Sequence, residues 1–136
     1  MLKPALLLEV EQALAAANEA EAEFEAFDKA NPQLHDKLTA QYEVLGDISR
    51  ALGRQALNSS EVKSSLKQAH YKQRQTTDAL HKIWVARGVL KQKVFDTGRA
   101  YVHASHKWDG SAERWDYLKG QGLAALNRPS PPEADA

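Results

Sequence analysis

No cysteine occurs among the 136 residues. That excludes disulfides, thiolate metal sites and thiol catalysis together. A secreted chain this small is usually crosslinked, so the expected location is the cytoplasm, or the interior of a particle assembled inside a cell. Long hydrophobic runs are missing as well. The apolar cluster Ala5, Leu6, Leu7, Leu8 is too short for the core of a signal peptide, and Glu9 and Glu11 follow at once. No stretch approaches the ~20 apolar residues that a membrane span needs, so no membrane partner is expected. No segment alternates polar and apolar residues between turn signals, which argues against strands.

Recognisable catalytic chemistry is absent too. There is no P-loop, dinucleotide fingerprint or H-E-x-x-H. His35, Asp36 and Glu43 have no serine or cysteine nucleophile motif beside them. Glu19, Glu21, Glu23 and Glu25 alternate around a helix and cannot pair as a carboxylate dyad on one face. His103, His106 and Asp109 have a spacing that can hold a metal. They lead into a glycine turn, and surface histidines near a helix C-terminus are the stronger reading. The expectation is a protein that is not an enzyme and carries no metal or cofactor.

What remains is ordinary in amount and unusual in arrangement. A hydrophobic content of 43% and a charged content of 26% are globular values, enough for one domain with a modest core. The net charge is zero, yet it is sorted by position. Residues 1–31 carry two lysines against seven carboxylates, a net charge of −5; residues 48–107 carry twelve Lys/Arg against three carboxylates, a net charge of +9. Such sorting implies either two oppositely charged helices that meet or a basic surface for an anionic partner.

Helical periodicity runs through most of the chain. The fold class predicted is all-α: a long-helix, coiled-coil-like bundle of three main helices and a short fourth, forming one domain over 1–126. The first helix is expected at about 4–30, with Pro4 in its first turn. Leu6, Val10, Ala13, Ala17, Ala20, Phe24 and Phe27 follow alternating four- and three-residue steps, the spacing of a coiled-coil seam. Asn31-Pro32 ends this helix, because the residue before proline resists the α region. The second is expected at about 33–57, with Leu34, Leu38, Leu45, Ile48 and Leu52 as its stripe and Tyr42 beside it. Asn58-Ser-Ser-Glu61 reads as a capping box. A third helical pattern then runs from 58 to about 105, with Gly88 and Gly98 as places to bend or break. Its seam is Val62, Leu66, Ala69, Gln73, Thr76, Leu80, Ile83, Arg87, Leu90, Val94, Thr97, Tyr101 and Ala104. A short helix at about 111–126 carries Trp115, Leu118, Leu123 and Leu126, and residues 127–136 read as a disordered proline-rich tail.

The long helix changes character along its length. Its first half carries a basic ladder of Lys63, Lys67, His70, Arg74 and His81, of which Lys63, Lys67, His70 and Arg74 are expected to stay available. With Lys82 and Lys91 added, these residues can follow a phosphate backbone, while Tyr71, Trp84 and Trp108 can stack on bases. No helix-turn-helix, zinc-finger or RNP pattern supports sequence readout, so contact is expected with backbone and shape. The competing reading is a solvated face, or one paired with the glutamates of the first helix. Past Leu80 the pattern is apolar around most of the circumference, which predicts burial. The two shorter helices cannot cover all of the long one, so Trp84, Val89, Phe95, Tyr101 and Val102 are expected to meet another subunit. The alternative is a helix that breaks at a glycine and folds back into a monomeric bundle. Arg87, a seam position, is expected to pair with a glutamate of the first helix, since an unpaired arginine there is costly.

Two functions follow from this pattern. The first is an oligomeric nucleic-acid-binding protein that uses its basic helix. The second is an assembly, adaptor or inhibitor protein, such as a virion or secretion component, that docks an acidic protein partner.

Overall fold

The computed structural model describes residues 2–54 and 60–122. They form four helices and no strand: α1 (Ala5–Ala30), α2 (Leu34–Arg54), α3 (Ser60–Asp109) and α4 (Ala112–Gly120). The expected N-cap Asn58, the expected end of the second helix at 57, Leu123, Leu126 and the tail 127–136 lie outside the described residues. α3 holds 50 residues without interruption, so Gly88 and Gly98 sit inside continuous helix. Each costs about 1 kcal/mol relative to alanine, too little to break a helix of this length.

The described residues divide into two compact units. One is Glu23–Gln92, with the end of α1, all of α2 and the longer first part of α3. Here α2 and α3 run antiparallel, because rising positions on α2 meet falling positions on α3: His35 with Trp84, Gln41 with Gln73, Ser49 with His70. Leu34 and Leu38, one turn apart on α2, are each only 6% exposed. Burial of a leucine side chain contributes roughly 1.5–3 kcal/mol. Thr77 is fully buried. Its hydroxyl donates to the Gln73 carbonyl at 2.8 Å and accepts from Gln73 Nε2 at 3.3 Å, so no polar atom of its side chain is left unmet.

α1 ends at the Asn31-Pro32 turn. The Phe27 carbonyl accepts both the Asn31 backbone N–H and the Asn31 side-chain amide, each at 3.0 Å, so Asn31 closes the last turn with two bonds. Gln33 then takes a positive φ of 57°, which turns the chain into α2. Such a conformation is uncommon for a side chain other than glycine, asparagine or aspartate.

The other unit joins the described residues up to Ala22 with those from Lys93 onward. Its buried residues are Ala20, Ala104 and Trp108. Alanine at a helix contact lets the axes approach, and the Ala20 side chain is 1% exposed. α4 is started by Ser111, whose hydroxyl accepts from the Arg114 N–H at 3.2 Å and donates to the Trp108 carbonyl at 2.7 Å. That cap brings Tyr117 edge-on to Trp108, with ring centroids 6.1 Å apart.

The predicted seams match the covered positions with two departures. Every seam residue named on α1 is at least half covered. On α3, Val62 is 47% exposed, and Thr76 is exposed while its neighbour Thr77 is buried. Thr77 lies four residues after Gln73 and three before Leu80. The step order is therefore reversed locally, and the Gln41–Gln73 contact is what holds that turn to α2.

Candidate nucleic-acid interface

The basic ladder lies on the first part of α3, where helical spacing decides which cations act together. Lys63, Lys67, Tyr71 and Arg74 follow one another at steps of four, four and three, so they share one side of the helix. All four are exposed, Tyr71 at 65%. Between 62 and 77 the chain holds four cations, with Lys72 the fourth, and no carboxylate. Among the described residues none of these cations makes an ion pair. Lys82 and Lys91 are exposed as well. Lys91, seventeen residues after Arg74, projects from a different side, so the structure does not join it to the row.

The histidines of the ladder behave differently from the lysines. His70 is half-buried, and its Nε2 shares a 3.1 Å hydrogen bond with Ser49 Oγ. His81 Nδ1 shares one of 3.1 Å with the Tyr42 hydroxyl, the two rings meeting edge-on. His70 is therefore held against α2 and is not available as expected. The reason is geometric, because His70 and His81 stand three and four residues from the covered positions Gln73 and Thr77, on the margin that α2 meets. Partners such as Ser49 and Tyr42 went unnoticed in the sequence, although an antiparallel register anchored on Gln41 and Gln73 would have found them.

Arg87 is neutralised inside its own unit, but by Asp28 and not by a glutamate. Its Nε donates to Asp28 Oδ1 at 2.8 Å and its Nη2 to Oδ2 at 3.3 Å, a two-point grip. The guanidinium also lies over the Phe24 ring at 4.8 Å and beside Trp84 at 5.4 Å. The Arg87 hydrogen bond, together with its charge, holds the Asp28 carboxyl below the usual carboxylate range against an opposing effect of burial. The same contact raises the arginine further. An aspartate wins here because Asp28 follows the seam residue Phe27 and is half-buried at the α3 contact, one turn after the Phe24 ring that Arg87 also covers.

The two other aromatic residues expected to stack are committed elsewhere. Trp84 is half-buried and tilted against His35, with centroids 5.5 Å apart; Trp108 is 9% exposed. Of the expected subunit contacts, Trp84 and Tyr101 are half-buried within the chain. Val89, Phe95 and Val102 are 65%, 58% and 50% exposed. Within the single chain Val85, 52% exposed, is left uncovered together with Val89 and Phe95. Phe95 and Val102, seven apart, share one face, while Val89, six before Phe95, lies on another. His103, His106 and Asp109 are exposed, and no three metal-ligating side chains converge among the described residues. No described helix is long and apolar enough to cross a membrane.

Set against known protein families, curated proteins and solved structures, the chain gives no match.

Proposed function

We propose that this chain is a non-enzymatic nucleic-acid-binding protein that grips phosphates with Lys63, Lys67 and Arg74 on α3. The observation that carries this reading is the carboxylate-free row itself, exposed and, among the described residues, without internal ion pairs. The competing idea of a row neutralised by the acidic first helix finds less support, since Asp28 and Glu9 of α1 pair with Arg87 and Lys107, outside the row. Lys82 adds charge further along the helix, and backbone contact of this kind carries no sequence code.

Self-association through Phe95 and Val102 completes the proposal. Both rings and branches stand out from α3 at half exposure or more, and paired apolar side chains on one helix face favour a protein contact. This exposed face also favours the second reading, an assembly or adaptor protein whose basic row docks an acidic protein. The two readings separate in a binding titration against oligonucleotides at increasing salt. Nucleic-acid binding requires an affinity that falls with salt and is lost when Lys63, Lys67 and Arg74 all become glutamate.

A further inference from the structure

We infer that the basic row of α3 takes single-stranded nucleic acid in preference to duplex, with the Tyr71 ring stacked on an unpaired base. This rests on the phosphate-binding role just proposed for the same row. Of the three aromatic residues of α3 expected to stack on bases, Tyr71, Trp84 and Trp108, the structure leaves Tyr71 exposed beside the row, while the exposed Phe95 lies about six turns beyond Arg74. Trp108 is 9% exposed, and Trp84 is held between His35 and Arg87. Tyr71 is 65% exposed and sits between two cations that make no ion pair among the described residues, one turn after Lys67 and three residues before Arg74. From Lys63 to Arg74 the row covers about 16 Å of helix axis.

That order of groups, cation, ring, cation, on one exposed face suits a strand whose bases are free. A duplex presents phosphates to such a face but keeps its bases stacked on one another, so the ring would have nothing to receive it. An unpaired base offers its π-face whatever its identity, and a positive track beside it holds the backbone. Glu61 precedes the row and Asp78 follows it, which confines the favourable stretch to a few nucleotides.

The test measures binding of a fluorescein-labelled deoxythymidine oligonucleotide and of the same strand annealed to its complement, across a salt series. Wild type should bind the single strand more tightly. Tyr71→Ala should weaken single-strand binding roughly 5- to 150-fold, the range for loss of one base stack. Duplex binding should change little. The slope of log affinity against log salt should be unchanged, because stacking releases no counterions. Tyr71→Phe, which keeps the ring, should bind as wild type. Equal affinity for both forms, or a Tyr71→Ala variant that binds like wild type, overturns the inference and leaves the phosphate-binding role standing. A Tyr71→Ala loss accompanied by a changed salt slope also overturns it, since the ring would then be acting through the cations. Failure of wild type to bind either form overturns both.

Discussion

Leu38→Ala should be among the most damaging single changes in the unit Glu23–Gln92. Leu38 is 6% exposed, and with Leu34 it supplies the large buried side chains of α2. Truncation removes three carbons. At about 0.8 kcal/mol per buried methylene the transfer loss is about 2.4 kcal/mol. A cavity that collapses only in part brings the cost to roughly 3 kcal/mol. Chains of this size have a total stability of about 5–15 kcal/mol, so one residue accounts for a substantial fraction of it. Val44, on the same helix, is 43% exposed. Val44→Ala should change stability by no more than about 0.5 kcal/mol, because little surface is returned to water and alanine is the better helix former. The assay is a urea titration followed by far-ultraviolet circular dichroism, at a protein concentration held constant across variants. In a thermal scan Leu38→Ala should melt roughly 10 °C lower. Equal effects of the two substitutions, or a loss below about 1 kcal/mol for Leu38→Ala, would refute the burial argument.

Three other outcomes follow from named contacts. Phe95→Asp combined with Val102→Asp should convert a self-associated species to monomer in sedimentation; a wild-type chain that is already monomeric at micromolar concentration would remove the self-association proposal. Asp28 has its carboxyl depressed by Arg87, so the contact stabilises the fold above the unfolded value near pH 4 and is lost as pH falls through the lower folded value. Asp28→Asn should therefore lower stability at neutral pH and flatten the acid side of a stability–pH curve, and an unchanged acid limb would count against the ion pair. Ser111→Ala removes the α4 N-cap and should cost about 1 kcal/mol, read as a change in near-ultraviolet circular dichroism from the Trp108–Tyr117 pair, whereas Ser111→Gly should cost only a few tenths.

The helices and the sides they turn inward were legible because apolar spacing reports helix phase directly. Leu6 through Phe27 on α1 and Leu66 through Ala104 on α3 fall on the covered side, Thr76 excepted. Thr76 and Thr77 are chemically identical neighbours, so composition does not distinguish them, and the Gln41–Gln73 contact beside the buried Thr77 joins residues remote in sequence. The exposure of Val85, Val89 and Phe95 within the chain depends on a second kind of remote information. A ring of apolar residues says what can be buried, not whether a covering element reaches it. Composition reports the sum of charge along each helix but not its pairing. Residue counts on the first helix favoured a glutamate for Arg87, whereas position beside the seam selects Asp28. In the candidate interface, Lys63, Lys67 and Arg74 were visible from composition. The withdrawal of His70 and the isolation of Tyr71 required the α2 register.

The most direct test of the account is the salt dependence of oligonucleotide binding by wild type and by the triple variant Lys63→Glu, Lys67→Glu, Arg74→Glu. Neutralising about three phosphates of a single strand predicts a log–log slope of about −2 for wild type, and the variant should lose both the affinity and the slope. Binding that is insensitive to salt, or a triple variant that binds as tightly as wild type, would contradict the claim that this row of α3 holds nucleic acid.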